Sequence, residues 1–190
     1  MTTLLLRPLA FITIKHPDST PSWIIWRIPF LSAILLLGTT KYFSFNVDVF
    51  SGGGLISHLL GFFQNLPGFY IAALAAIATF QNDDMLKLMP GVPPTMKVLV
   101  HGGLEVVRLT RRRFLSSMFG YLTVLSIALT LMSVGALSYA EPIKIWICSD
   151  SIRDAVKYSF LLVYATLSMQ MVSITFWGIF YLGERVHTPD

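Results

Sequence analysis

The sequence predicts an all-α membrane protein with four transmembrane helices and both termini in the cytoplasm. Three observations carry that expectation. Charged residues make up 13% of the 190-residue chain and hydrophobic residues 54%, whereas a soluble domain carries about a quarter charged residues. Four stretches meet the requirement of a membrane helix for about 20 mostly apolar residues. Their apolar character runs right round the helix, unlike the one-sided stripe of a soluble helix. The chain is read as a single membrane domain with spans at about residues 24–45, 56–80, 114–140 and 158–183.

The elements follow in order. The N-terminal piece LLLRPLAFITI is short, broken by Arg7 and Pro8, and followed by HPDSTP, which lacks the small-residue cleavage site of a signal peptide. In the first span Arg27 and Lys41 flank a short uninterrupted core, so both cations are expected to reach the interfaces. The loop NVDVFSGGG, residues 46–54, is short and glycine-rich. The second span is interrupted by Gln64, Asn65, Pro67 and Gly68, so residues 55–66 either span or lie along the outer surface. The third span is the cleanest. Residues 141–157, EPIKIWICSDSIRDAVK, form an outer loop with room for one amphipathic turn, and the fourth span follows. Trp23, Trp26, Tyr42, Phe43, Tyr139 and Trp146 fall at the span ends, where such rings favour the head-group level.

The 81–113 loop is the largest piece outside the spans. It opens with QNDDMLKLMPGVPP, whose Pro-Gly and Pro-Pro pairs predict a rigid turn. TMKVLV and LEVVRLT then flank HGG, which reads as a β-hairpin. Two strands alone are marginal in water, so the hairpin is expected to need another subunit or a partner over its apolar side. Orientation follows from the cations. Ten of the fourteen Lys and Arg fall in the N-terminal segment, the 81–113 loop and the C-terminal tail, which places these in the cytoplasm.

Few residues carry chemistry. No Asp, Glu or His sits mid-span, so a proton relay or ion-coupled transport site is not supported. The four histidines are scattered, and the single cysteine, Cys148, excludes a disulfide framework or paired-thiol site. Asp83 and Asp84 read as helix-end acids rather than metal ligands. With no nucleophile–base pair, phosphate loop or metal spacing, neither enzyme activity nor a cofactor or metal is expected. Gln170, Ser173 and Trp177 share one face of the fourth helix. They serve either interhelical hydrogen bonding or, in an oligomer, a pore-facing strip; the pore- or channel-forming effector is the alternative functional reading. Gly68, Ala72 and Ala76, and more weakly Ser116 and Gly120, repeat small residues at four-residue spacing, a helix-packing face within one chain or between chains.

Arg111, Arg112 and Arg113 stand flush against the third span. Cations at the cytoplasmic end of a span fix orientation and attract anionic lipid, each by about 1 kcal/mol. With Arg108 they also form a candidate docking surface for an acidic partner. Direct nucleic-acid binding is not expected, because stacking aromatics are not interleaved and the charges lie within a helix turn of the bilayer.

Two segments, FQNDDMLKLMPG at residues 80–91 and VVRLTRRRFLSSMFGYL at 106–122, together with the length and the four-span layout, resemble the small membrane subunit of the Kiwa anti-phage defence system. The resemblance covers about a quarter of the chain by motif. It implies a non-enzymatic sensor and scaffold of the bacterial inner membrane that forms homo-oligomers, with tetramers expected, and binds a cytosolic DNA-binding partner protein. It carries no catalytic motif to transfer. A partner-docking role for Arg108, Arg111, Arg112 and Arg113 would follow from it.

Overall fold

The computed structural model describes residues 7–14, 23–42, 48–79, 83–89, 93–100, 103–147 and 149–185. Inside hydrocarbon no water is present to bond backbone N–H and C=O groups, so an apolar chain must pair them within itself, which a helix does residue by residue. The chain is accordingly mostly helical: α1 Ile28–Tyr42, α2 Leu55–Phe63, α3 Leu66–Thr79, α4 Asp83–Leu86, α5 Arg111–Trp146 and α6 Asp150–Phe180. A 3-10 helix covers Arg7–Thr13, and π-helical turns cover Trp23–Arg27 and Tyr181–Arg185. Strands β1 Thr95–Val100 and β2 Gly103–Arg108 form a two-stranded antiparallel sheet.

Among the described residues, three helices are long and apolar enough to cross a membrane: Leu55–Thr79, Arg111–Trp146 and Asp150–Gly183. The apolar helix Trp23–Thr39 is shorter. Large apolar side chains such as Leu35, Phe69, Leu131 and Phe176 are exposed along them. The break expected near Gln64 is a two-residue turn between α2 and α3, closed by the Asn65 amide donating to the Gly61 carbonyl at 2.8 Å. Pro67 falls in the first turn of α3, where a missing N–H costs nothing.

The expected outer loop 141–157 is largely helical. α5 runs to Trp146 despite Pro142, and α6 begins at Asp150. The charges that read as loop instead form i,i+3 ion pairs on the helices, Glu141–Lys144 at 2.6 Å and Asp150–Arg153 at 3.0 Å, an arrangement that supports a helix. Arg153 also donates to the Ile147 carbonyl at 3.0 Å. At 36 residues α5 is about 54 Å long, well beyond the ~30 Å hydrocarbon core.

The chain divides into two compact units, each assembled from separate stretches. The first takes residues 1–23, 67–124 and 174–190. Its core is an aromatic cluster around Phe11, a fully buried residue of the 3-10 helix. Phe11 stacks on Tyr121 at 5.6 Å between ring centroids and meets Phe114 at 6.0 Å and Trp177 at 6.3 Å. Phe114 meets Trp177 edge-on at 5.4 Å. The Met118 methyl lies only 2.6 Å from where a Cβ on Gly178 would stand, so glycine lets these stretches of α5 and α6 close up. The Tyr70 hydroxyl pairs with the Thr175 hydroxyl at 2.8 Å, joining α3 to α6.

The second unit takes residues 24–66 and 125–173. Phe63 packs edge-on against Tyr164 at 6.1 Å, and Phe160 stacks on Tyr164 at 5.7 Å. The Ser133 hydroxyl lies 2.8 Å from the Leu129 carbonyl and 2.7 Å from the Tyr164 hydroxyl. Its single proton goes to the carbonyl, so Tyr164 is the donor to Ser133. Gln170, 1% exposed, gives its amide N–H to the Ile25 carbonyl at 3.0 Å. The reason lies in the sequence: Pro29 stands four residues after Ile25 and has no N–H to offer that carbonyl.

Gln170→Leu is expected to lower stability by about 1 kcal/mol, read as a fall in unfolding temperature in detergent. The same change in a Pro29→Ala background should cost much less, because the helix then supplies the missing N–H. Equal costs in the two backgrounds would contradict this pairing.

Candidate docking surface

The segment before α5 is organised by one continuous antiparallel ladder. β1 and β2 pair from Thr95↔Arg108 to Val100↔Gly103, which is the hairpin expected from TMKVLV and LEVVRLT. Beyond the strands the Leu109 N–H donates to the Pro94 carbonyl at 3.0 Å, and the Met89 N–H donates to the Leu109 carbonyl at 3.3 Å. The Arg111 N–H then reaches the Lys87 carbonyl at 3.1 Å, with Leu88 and Thr110 bridged between. Residues 87–89 thus run antiparallel to 109–111 around the fully buried Leu109. A lone hairpin is marginal; this one is tied to the first turn of α5, and β1 packs on the 3-10 helix Arg7–Thr13.

Thr110 caps α5. Its side-chain oxygen accepts the Arg113 N–H at 3.3 Å and its carbonyl accepts the Phe114 N–H at 3.0 Å, the pattern of a threonine N-cap. The next three residues are arginines, although the positive end of the helix dipole disfavours a cation there by about 0.3–1 kcal/mol each. Helix formation therefore does not explain them. The Arg112 guanidinium donates to the Ala78 carbonyl in the last turn of α3, where final carbonyls lack helical partners and a cation suits the dipole.

The four candidate arginines consequently divide. Arg108 and Arg113 are exposed, Arg112 is half-buried against α3, and Arg111 is only 2% exposed. Arg111 departs from the expected surface because its backbone extends the ladder to Lys87, which draws the side chain into the interior of the unit. Arg108 and Arg113 remain outside, as do apolar groups of the same segment, with Val106 63% exposed on β2 and Leu86 and Leu88 exposed before the hairpin.

The remaining candidates are placed as follows. Gly68, Ala72 and Ala76 are all exposed, and nothing lies within 4 Å of a Cβ built on Gly68. Their face is open in the single chain. Gly120 instead faces Pro8, 3.8 Å from its built Cβ. The Gln170 strip does not present a polar face to a pore: Gln170 is bonded to Ile25, Ser173 is half-buried, and Trp177 joins the aromatic cluster of the first unit. Among the described residues no three His, Cys, Asp or Glu side chains gather as metal ligands would. Cys148 and the side chains of Asp83 and Asp84 lie outside the described residues. Sequence reasoning missed Phe11 and the cap by Arg112. The apolar spacing of LAFIT hints at the first; nothing local could reveal the second.

Arg112→Ala is expected to cost about 1–2 kcal/mol, measured by thermal unfolding in detergent, while Arg113→Ala stays within about 0.5 kcal/mol. Equal effects would contradict the division of the arginines.

Comparison with protein-family models, with curated proteins and with solved structures finds no match to this chain.

Proposed function

We propose that this chain is a non-enzymatic sensor and scaffold of the bacterial inner membrane, acting in anti-phage defence by docking a cytosolic DNA-binding partner. The observation that carries the reading is the exposure of Arg108 and Val106 on a hairpin fastened to α5, with exposed Leu88 bridged to Thr110 before the helix and exposed Arg113 in its first turn. Cations beside apolar groups on a held backbone make a protein-docking surface: the charges steer an acidic partner and the apolar groups hold it. Two arginines are spent internally, so the surface is presented rigidly rather than on a floppy loop. The resemblance of residues 80–91 and 106–122 to the Kiwa membrane subunit supports the same role.

In this reading the short helix Trp23–Thr39 is the fourth span, both termini are cytoplasmic, and the arginine end of α5 faces the cytoplasm. The open face of Gly68, Ala72 and Ala76 is where copies of the chain pack into an oligomer, with a tetramer the expected number. A conducting pore is the weaker reading, since its candidate lining, Gln170, is committed to Ile25.

The test is recovery of the partner on the tagged chain from its native host in mild detergent, with native sizing. Arg108→Glu with Arg113→Glu is expected to cut recovery of a stoichiometric soluble DNA-binding protein by at least about tenfold, the effect of losing charged contacts worth about 1.4 kcal/mol. Membrane insertion and oligomer size should not change. Full partner recovery by the correctly inserted double variant would overturn the docking assignment.

A further inference from the structure

The second unit holds a cleft of about 820 Å³ that the proposed docking role does not use. It lies among the loop Asp48–Ser51, the stretch of α5 from Met132 to Lys144, and the stretch of α6 from Arg153 to Phe160. Its lining is sorted by chemistry along the helices. Three cations, Lys144, Arg153 and Lys157, and two acids, Glu141 and Asp154, come from the parts of α5 and α6 next to their link, and a third acid, Asp48, comes from the loop. Met132, Gly135 and Phe160 form an apolar floor toward the middle of the same helices, beside the exposed Leu131 and Val134. From Met132 to Lys144 the α5 wall measures about 18 Å at 1.5 Å per residue. That spans the change from hydrocarbon to head group.

We infer that this cleft binds one zwitterionic phospholipid, a phosphatidylethanolamine, taken from the leaflet at this end of the helices. The inference rests on the membrane placement of α5 and α6. Equal numbers of acids and cations make the charged end neutral overall, which suits a head group carrying both signs better than an anionic one. Glu141 and Lys144 pair with each other, and Arg153 is held by Asp150 and the Ile147 carbonyl. Among the described residues, neither Lys157 nor Asp154 is in an ion pair. Lys157 is thereby available to the phosphate and Asp154 to the ammonium of the head group. The floor around Gly135, where a built Cβ meets nothing within 4 Å, has room for the start of an acyl chain.

The test uses the full chain, delipidated in detergent, with dioleoyl-phosphatidylethanolamine or dioleoyl-phosphatidylglycerol added and adducts counted by native mass spectrometry. One phosphatidylethanolamine per chain should be retained in preference to phosphatidylglycerol. Lys157→Ala should weaken retention by about tenfold, the effect of one charged contact. Gly135→Phe fills open space, so it should leave the unfolding temperature unchanged while excluding the lipid. Equal retention of both lipids, indifference to both variants, or a peptide-mass adduct in place of lipid would each overturn the inference. A chain recovered from the soluble fraction of cells would overturn the membrane placement itself.

Discussion

The structure depends on one constraint: a chain this apolar must satisfy its own backbone. Long helices meet the demand along most of their length, and the interest lies where they cannot. Pro29 deprives the Ile25 carbonyl of its helical donor, and Gln170 supplies an amide in its place. The last turn of α3 leaves carbonyls open, and Arg112 reaches the one on Ala78. The end of α5 does the same, and Arg153 reaches Ile147. Gln170 and Arg112 read as candidate sites because polar side chains are rare in apolar sequence. Both, like Arg153, turn out to be repairs to the backbone.

That distinction reshapes the basic segment. Three consecutive arginines at a helix N-terminus oppose the helix dipole, so their cost must be offset elsewhere. Arg112 offsets it by closing α3, while Arg111 is folded inward with its backbone in the ladder to Lys87. What remains outside is a smaller, better-defined surface of Arg108 and Arg113 with Val106 and Leu88. Val106 and Arg108 lie on the hairpin, Leu88 before it and Arg113 in the first turn of α5.

Much of the helical plan was legible from composition and apolar run length, and the hairpin from β-prone runs around HGG. Helix ends were less so. Residues 141–157 looked like a loop because charge and Pro142 interrupt the apolar run, yet i,i+3 ion pairs keep both helices going. The Phe11 cluster and the Arg112–Ala78 bond were illegible because each joins residues far apart in sequence, where no local pattern registers. Gln170 stands out in the sequence by rarity. Its partner could be found only by asking which carbonyl a distant proline leaves without a donor.

The proposed topology puts the arginine end of α5 and the α5–α6 link on opposite faces of a membrane. Cys148, the only cysteine, falls in that link, so the unmodified chain already carries a reporter. The decisive measurement is labelling of intact spheroplasts with a membrane-impermeant maleimide, comparing the native chain with Arg113→Cys in a Cys148→Ser background. The account expects Cys148 to label from outside and position 113 to label only after the membrane is opened. Labelling of both from the same side would contradict it.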